Sequence, residues 1–227
     1  MNHLDLNMRL VFLGDVHGLL DKALEMLIPL CPDAVIQVGD LGVWPNSKNI
    51  DSASKRHQGA GDFSEYYTGN KILPVPIYFT HGNHEDQQWL QQRNMTWLIP
   101  NLFYISVGVI ELAGIKIAFI GGNHGLPKKI KHIQPDGVNK LLNLEFNILV
   151  SHECCYGQPV KVGRPQKDLP GSHLLTELVK IKKPVFHFCG HYHQYLDICT
   201  DDTHSIVLNS VPHQNCYYIM DVPDKIQ

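Results

Sequence analysis

Short apolar runs that end at a glycine or another small residue recur along this chain. Leu10–Leu13, Ala34–Val38 and Val75–Phe79 are such runs, and each predicts a buried strand. Between the first two, apolar residues at helical spacing predict an amphipathic helix over Leu19–Leu30, which stops before Pro32. A strand, a helix and a second strand in this order predict a βαβ unit, and therefore a mixed or parallel sheet with helices outside it.

The rest of the chain continues this alternation. Helical spacing predicts helices over Phe63–Tyr67, Asp86–Arg93 and His173–Ile181. Further strands are predicted over Phe103–Ile105, Val107–Leu112, Lys116–Ile120, Phe146–Val150, Val185–Cys189, Ile206–Leu208 and Cys216–Asp221. Ala113-Gly114 has the character of a hairpin turn between two of these strands. Residues 42–61 and 121–135 predict loops, and loops as long as the first are uncommon in compact domains unless they are functional.

The composition predicts one folded domain over residues 1–227. Hydrophobic residues make up 44% of the chain and charged residues 18%, so the chain can build a sizeable core and long disordered segments are not expected. The formal net charge of -3 does not support a general affinity for nucleic acid through bulk charge, although it leaves room for a local basic patch.

The cysteines and the apolar segments predict a cytoplasmic protein. The six cysteines include no pair with zinc-finger CxxC spacing, and we expect all six to be reduced. The first ten residues lack the basic region and long apolar run of a signal peptide. No apolar stretch approaches the roughly 20 residues that cross a bilayer, so no membrane segment is expected.

A side chain of a metal-binding type follows the end of five predicted strands. These side chains lie in the segments Gly14–His17, Gly39-Asp40, Gly82–His84, Ser151-His152 and Gly190–His193. Since ligands bind outside the carboxyl ends of the strands in open α/β sheets, the five strand ends should bring them to one edge. The predicted metal ligands are Asp15, His17, Asp40, Asn83, His152, His191 and His193.

The chemistry of these ligands predicts a hydrolase that acts on phosphate esters. Carboxylate, imidazole and amide oxygen, without thiolate, suit Mn, Fe, Zn or Ni better than a structural zinc site. Two divalent ions about 3.5–4 Å apart can clamp the attacking and leaving oxygens of an in-line displacement at phosphorus. A carboxylate must bridge ions that lie so close, and Asp40, alone at its strand end, is the candidate.

The motifs together resemble the calcineurin-like metallophosphoesterase superfamily. They are GDVHG at 14–18, GD at 39–40, GNHE at 82–85, SH at 151–152 and GHYH at 190–193, and the resemblance covers nearly the whole chain. It implies an α/β fold, a four-layer αββα sandwich of two mixed sheets flanked by helices. It also implies one metal bound by Asp15, His17, Asp40 and His193, and a second bound by Asp40, Asn83, His152 and His191.

In this resemblance, His84 does not bind metal. It would lie over the centre and either donate a proton to the leaving oxygen or stabilise the charged phosphorane. A water activated by the two metals would attack phosphorus directly, without a covalent phosphoenzyme. Protein Ser/Thr phosphatases carry Asp-Arg-Gly at the second motif, whereas Leu41 and Gly42 follow Asp40 here, which argues against that branch.

A narrower resemblance is to the catalytic domain of RNA lariat debranching enzymes. The segments that carry it are Phe63–Gly69, Pro74–Phe79, Gly82–Glu85, Trp97, Pro100–Tyr104 and Gly114–Gly122. That family usually has cysteine where this chain has Asp15. It also has a C-terminal extension after the position of His193, and the stretch between Gly122 and Phe146 is short here. Branched RNA and a smaller phosphodiester therefore both stay open as substrates.

Three functions are compatible with these motifs. The first is a metal-dependent phosphodiesterase whose partner is a phosphate ester such as a nucleotide or RNA. The second is a phosphomonoesterase or nucleotide pyrophosphatase on the same scaffold. The third is a non-catalytic interaction module, which the presence of every ligand position and His84 argues against.

Several loop residues are further candidates. Asn123-His124 could reach the substrate or lie at the rim of the site, and Trp44 and His57 could cover the substrate or only pack within their loop. The lysines that could contact phosphate or form a solvated face are Lys128, Lys129 and Lys131. Glu85 could orient His84 or begin the helix that follows it. Cys154-Cys155 could be redox-sensitive, but buried packing is favoured.

Overall fold

Two six-stranded sheets face each other in the computed structural model, which describes residues 7–57, 61–126, 129–162, 169–200 and 202–223. In chain order, the strands are β1 (Met8–Leu13), β2 (Ala34–Gln37), β3 (Ile77–Phe79), β4 (Thr96–Ile99), β5 (Leu102–Tyr104), β6 (Val107–Leu112), β7 (Ile115–Ile120), β8 (Ile148–Ser151), β9 (Phe186–Cys189), β10 (Leu196–Cys199), β11 (His204–Val207) and β12 (Tyr217–Val222). Lys128 lies outside the described residues.

Both sheets are mixed. The first has the order β12-β1-β2-β3-β5-β4, in which β1, β2, β3 and β5 are parallel and the outer strands β12 and β4 are antiparallel to their neighbours. The second has the order β10-β11-β9-β8-β7-β6, with parallel strands β11, β9, β8 and β7 and antiparallel outer strands. The predicted hairpin is present, since β6 and β7 pair through a turn at Ala113-Gly114.

Helices cover the outer faces of both sheets. They are α1 (Leu20–Leu27), α2 (Phe63–Tyr67), α3 (Gln87–Leu90), α4 (Pro135–Leu142) and α5 (His173–Lys182). Buried residues of α1, α2 and α3 pack on the outer face of the first sheet, and those of α4 and α5 pack on the outer face of the second. Three short 3-10 turns occur at Ile28–Leu30, Ser47–Asn49 and Ser54–Arg56.

The alternation of side chains along β1 shows how the layers form. Val11 and Leu13 pack in the cluster that contains α1, whereas Leu10 and Phe12 pack between the two sheets. The ring of Phe12 stacks on Phe188 of the opposite sheet, with centroids 3.8 Å apart. Because a strand buried on both faces needs apolar residues at every position, the continuous apolar runs of the sequence mark the middle layers. The four-layer αββα sandwich is therefore confirmed.

Three elements were not predicted from the sequence. Helix α4 begins at Pro135, the last residue of the predicted second loop, and it contains Gly137, which has low helix propensity. It forms because Val138 and Leu141 are buried against the second sheet and α5, so packing outweighs propensity. The other two elements, β4 and β10, are short strands at sheet edges, where partly exposed positions weaken the apolar signal.

Candidate metal centre

The predicted ligands follow the carboxyl ends of parallel strands in both sheets. Asp15 follows β1, Asp40 follows β2 and Asn83 follows β3 in the first sheet. His152 follows β8, and the segment containing His191 and His193 follows β9 in the second sheet. The two sheets present these ends at the same edge of the sandwich, so the ligands come together across the gap between the sheets.

Asp15, His17 and His193 form a first cluster, in which one ligand atom from each lies within 4.8 Å of the others. The Nε2 atoms of His17 and His193 are 2.8 Å apart, and Nε2 of His193 is 3.2 Å from Oδ2 of Asp15. His17 and His193 are 176 positions apart in the chain, and Asp15 and His17 follow β1 closely. The cluster therefore depends on the packing of the two sheets. Its members are three of the four residues predicted to share one metal.

Asp40, His152 and His191 form a second cluster of the same size. Nε2 of His152 lies 3.3 Å from Oδ2 of Asp40 and 3.1 Å from Nδ1 of His191. The same Oδ2 atom of Asp40 is 4.0 Å from Nε2 of His17, which belongs to the first cluster. One oxygen of Asp40 therefore lies between the clusters, and its role as a bridge stays a prediction.

Asn83 is fixed beside the second cluster. Its backbone N–H and that of His84 both donate to Oδ1 of Asp40, at 2.6 and 2.7 Å. Its side-chain oxygen accepts a hydrogen bond from the amide of Asn123 at 3.2 Å. Asn123 thus contacts a predicted ligand, while the backbone N–H of His124 donates to Glu153.

His84 is not part of the first cluster, but it forms a third group with His17 and His57, in which one ring nitrogen of each lies within 4.8 Å of the others. That His84 does not bind metal stays a prediction. Its ring centroid is 5.1 Å from that of His17, and Nδ1 is 3.0 Å from the hydroxyl oxygen of Ser54. Its backbone carbonyl accepts a hydrogen bond from the indole N–H of Trp44 at 3.1 Å. Trp44 is largely buried and supports the turn that carries His84.

The charges of the cluster favour ionised carboxylates. Burial by itself would raise the pKa of Asp15 and Asp40, but the nearby His152 lowers both, and the pKa of Asp40 falls well below its usual range. Burial opposes the charge on His152, yet Asp40 and Asp15 raise its pKa to about 10. Burial lowers the pKa of His17 to about 4, which keeps that imidazole in the neutral form that binds metals.

The donor set fits divalent cations. Within the described part of the chain, every ion-pair partner of Asp15 and Asp40 is a histidine, so no lysine or arginine neutralises these two buried carboxylates. In each cluster two imidazole nitrogens approach within about 3 Å, a spacing that suits a shared proton or a common cation. The buried Nδ1 atoms of His17 and His152 have no hydrogen-bond partner among the described residues. The role of these side chains as ligands stays a prediction.

Strained backbone accompanies the ligands. Four of the predicted ligands have positive φ angles: His17 at 51°, Asp40 at 56°, His191 at 70° and His193 at 49°. Residues other than glycine rarely adopt this region, and such conformations cluster at functional sites because the surrounding structure enforces them.

Two buried glutamates support the centre, and the sequence did not identify these roles. Glu85 accepts hydrogen bonds from the backbone N–H groups of Leu41 and Gly82, at 2.8 and 3.0 Å, and so ties the second and third ligand turns together. It neither orients His84 nor caps α3, because Asp86 caps that helix through the N–H of Trp89. The GNHE motif includes Glu85, but its hydrogen-bond partners Leu41 and Gly82 can be identified only from the structure.

Glu153 supports the other side of the centre. Its carboxylate accepts hydrogen bonds from the Tyr192 hydroxyl at 2.6 Å and from the backbone N–H groups of His124 and Cys154 at 2.8 and 3.1 Å. Tyr192 lies between the predicted ligands His191 and His193, so Glu153 anchors the segment that carries both. No motif in the sequence marks this residue.

His57 is the loop residue that reaches the centre. Its ring stacks on His17, with centroids 3.8 Å apart and planes 3° from parallel, and it lies 4.9 Å from the ring of His84. The polar character of residues 42–61 indicated a loop but gave no register that would place His57 there. Among the lysines considered, Lys131 lines a cavity beside Asn83, and Lys129 is exposed.

The cysteines agree with the expectation that they are reduced. All six cysteines are free, and Cys154 and Cys155 are buried, in agreement with a packing role. Burial raises the pKa of the Cys155 thiol to about 12, which disfavours the reactive thiolate. Among the described residues, none of the helices has the length and apolar character needed to cross a membrane.

Comparison with known proteins identifies the chain's relatives. Residues 8–195 match the family described as calcineurin-like phosphoesterase. The lariat debranching enzyme of Schizosaccharomyces pombe is 27% identical over 222 aligned residues, which cover 82% of this chain and 48% of that protein. The lariat debranching enzyme of Homo sapiens is 26% identical over 228 residues, which cover 82% of this chain and 42% of that protein. The chain thus spans less than half of the length of these two relatives.

Solved structures support the fold. A dimetal phosphatase from Danio rerio aligns with a TM-score of 0.58 at 13% identity, covering 96% of this chain and 93% of that one. The protein TT1561 of Thermus thermophilus aligns with a TM-score of 0.57, also at 13% identity, covering 95% of this chain and 99% of that one. At this level of identity the likeness concerns the architecture alone.

Proposed function

The chain belongs to the calcineurin-like phosphoesterase family and is a hydrolase of phosphoric ester bonds, and we propose that the bonds it cleaves are phosphodiesters. The observation that carries this proposal is the pair of clusters around the buried carboxylates of Asp15 and Asp40, with His84 beside them. The names of the curated relatives support a diester in particular, because debranching a lariat breaks a phosphodiester.

Seven side chains would hold two divalent metals. The first metal would take Asp15, His17, Asp40 and His193, and the second would take Asp40, Asn83, His152 and His191. When bound, the two cations would neutralise phosphate oxygens and lower the pKa of the attacking water. Nitrogen and oxygen donors without thiolate leave Mn, Fe, Zn and Ni as candidates.

His84 would assist the departure of the leaving group. Its position next to the first cluster supports a proton donor to the oxygen that departs from phosphorus, or a hydrogen-bond donor to the charged phosphorane. Its backbone N–H is committed to Asp40, and its carbonyl to Trp44, so the main chain at His84 is fixed from both sides. Such fixation holds a catalytic side chain in productive geometry.

A cleft beside the second cluster supports a substrate larger than phosphate. A cavity of about 470 Å³ is lined by residues that include Trp44, Asn49, Asn83, Gln87 and Lys131. This volume falls in the range of small-molecule sites. The lining offers amide donors and acceptors and one ammonium group, together with the carboxylates of Asp51, Glu85 and Asp86. Together with the debranching relatives, it supports a nucleotide or RNA phosphodiester as substrate.

A substrate panel tests the proposal. Purified protein supplemented with Mn, Fe, Zn or Ni should hydrolyse bis-p-nitrophenyl phosphate faster than p-nitrophenyl phosphate. His152→Ala, which removes a predicted ligand, is the control for contaminating phosphatases. Turnover of the monoester alone would replace the proposal with a phosphomonoesterase, and bound metal without turnover of either ester would favour a non-catalytic module. The rates of hydrolysis of linear dinucleotides and of branched RNA are then compared to show which of these two substrate classes the protein cleaves.

A further inference from the structure

Ser54 contacts the one imidazole of the centre that is predicted to move a proton. Its hydroxyl oxygen lies 3.0 Å from Nδ1 of His84, although the two residues are 30 positions apart in the chain. Ser54 is 2% exposed, so water does not compete freely for this hydrogen bond. Within the described residues, this is the side-chain hydrogen bond that the His84 ring makes.

The loop holds Ser54 in place before any substrate arrives. The carboxylate of Asp51 accepts a hydrogen bond from the backbone N–H of Ser54 at 2.6 Å. The carbonyl of Ser54 accepts one from the N–H of His57 at 3.0 Å, which closes the 3-10 turn. Since His57 stacks on His17, the turn is also fastened to the first cluster. Ser54 is therefore a rigid partner for His84.

Other side chains do not provide this contact. The carboxylate of Glu85, the acidic residue next to His84, is occupied by two backbone N–H groups. The Trp44 indole binds the His84 carbonyl and leaves the ring untouched. Among the described side chains, Ser54 is the one that hydrogen-bonds the His84 ring, which also contacts the rings of His17 and His57.

We propose that Ser54 is a positioning residue that keeps the ring of His84 turned so that Nε2 faces the leaving oxygen; this inference rests on the proposed function. The hydroxyl oxygen of Ser54 can accept a hydrogen bond from Nδ1–H of His84. Transfer of the Nε2 proton to the leaving oxygen leaves the proton on Nδ1, so this hydrogen bond is kept. The same ring geometry therefore persists when the proton leaves.

The proton balance of the step is simple. The oxygen of water forms a bond to phosphorus, the bond from phosphorus to the leaving oxygen breaks, and the proton on Nε2 of His84 moves to that oxygen. The attacking water loses its proton to solvent, and His84 regains one from solvent. Ser54 exchanges no proton with the substrate, since its oxygen only accepts the hydrogen bond from Nδ1–H of His84.

Substitution of Ser54 tests the proposal through the leaving group. Ser54→Ala should lower kcat roughly 10-fold or more for an alkyl or nucleoside diester, as part of the roughly 10²–10⁴-fold that general acid catalysis supplies. It should change kcat little for bis-p-nitrophenyl phosphate, whose leaving group departs without a proton. Ser54→Thr, which keeps the hydroxyl, should restore the alkyl-diester rate. KM, metal content and Tm should stay unchanged.

Ser64→Ala is the matched control. Ser64 lies in α2, and its hydroxyl donates to the carbonyl of Gly61 rather than to a histidine of the centre. An equal loss of kcat on both diesters, or no loss on either, overturns the positioning role. A structural defect would affect both substrates alike, so the ratio between them separates the two explanations.

A spectroscopic measurement decides the question without turnover. Nitrogen-15 NMR of the histidine rings, with the His84 signals identified by comparison with His84→Asn, reports which ring nitrogen carries the proton. Nδ1 of His84 should carry a proton that is hydrogen-bonded to Ser54 in the parent protein, and the Nδ1 signal should shift in Ser54→Ala. An unchanged Nδ1 signal overturns the inference. Absence of any phosphodiester hydrolysis would instead overturn the proposed function and leave this NMR result standing.

Discussion

Gly82 leaves the space that the carboxylate of Asp40 occupies. A Cβ atom at position 82 would overlap Oδ1 of Asp40 and lie 2.7 Å from its Cγ. In that space, Oδ1 accepts the backbone hydrogen bonds of Asn83 and His84, and Oδ2 points to the two histidine clusters. The glycine that precedes one predicted ligand thus makes room for another.

Gly82→Ala should therefore disrupt the predicted bridge. The added methyl meets a carboxylate held by two backbone hydrogen bonds, so Asp40 must shift, and overpacking of this kind costs about 1–3 kcal/mol. We expect a lower free energy of unfolding in urea and weaker binding of both metals in calorimetry. Gly61→Ala is the control, because a Cβ there meets only the tip of Ile50 at 3.9 Å. Parent-like metal binding in Gly82→Ala would contradict the steric argument.

Asp40→Asn should weaken both metal positions together. The amide can still accept the two backbone hydrogen bonds, but it loses the charge that Oδ2 offers to both clusters. Changes to groups that merely support ligands reduce metal affinity about 10–100-fold, so loss of the bridge should cost at least about 10-fold at each position. Asp15→Asn is the comparison, since Asp15 is predicted to bind one metal only. If inductively coupled plasma mass spectrometry finds one metal at full occupancy in Asp40→Asn, Asp40 is not the bridge.

His84→Ala should keep the metals and lose most of the turnover. The ring lies outside the two carboxylate clusters, and removal of a general acid lowers kcat by roughly 10²–10⁴-fold. Steady-state kinetics on an alkyl phosphodiester and metal analysis of the same sample measure both properties. His213→Ala, an exposed histidine on a different loop, should leave kcat unchanged. Loss of metal from His84→Ala would assign the ring to the ligand set instead.

Asp62→Asn should stabilise the protein above neutral pH. Burial, together with the nearby charge of Asp21, raises the pKa of Asp62 from 3.8 to about 7. The folded state therefore binds more protons than the unfolded state between these values, and the free energy of unfolding falls as the pH rises through that window. Because asparagine does not ionise, Asp62→Asn removes this loss of unfolding free energy at high pH.

After allowance for solvent screening, the expected gain at pH 8 is on the order of 1 kcal/mol, or roughly 2–4 °C in Tm. The gain should shrink as the pH is lowered toward 4, where Asp62 is protonated in the folded state. Thermal melts across this pH range measure it, with the exposed Asp136→Asn as control. A difference in Tm that does not vary with pH would show that the ionisation of Asp62 is not its source.

Local patterns account for most of the strands and helices. The apolar runs at Leu10–Leu13 and Ala34–Val38 predicted β1 and β2 because a strand buried on both faces must be apolar throughout. Helix α1 ends at Leu27, earlier than its apolar spacing suggested, and the chain continues in a 3-10 turn over Ile28–Leu30 that contains Pro29. Periodicity alone therefore did not predict where the helix ends. Helix α4 was not predicted, because its stability comes from contacts with α5 and the second sheet.

The candidate site likewise has features that the sequence predicts and features that only the tertiary structure shows. The sequence by itself determined which residues follow each strand, because a glycine and a polar side chain after an apolar run form a local pattern. It thus identified the seven predicted ligands and His84 as candidates, and the family resemblance separated His84 from the ligands. Only the tertiary structure decided that Oδ2 of Asp40 lies between two clusters and that Ser54 contacts His84. These relationships join residues far apart in the chain, and they exist only after the two sheets pack and the loop folds back onto their edge.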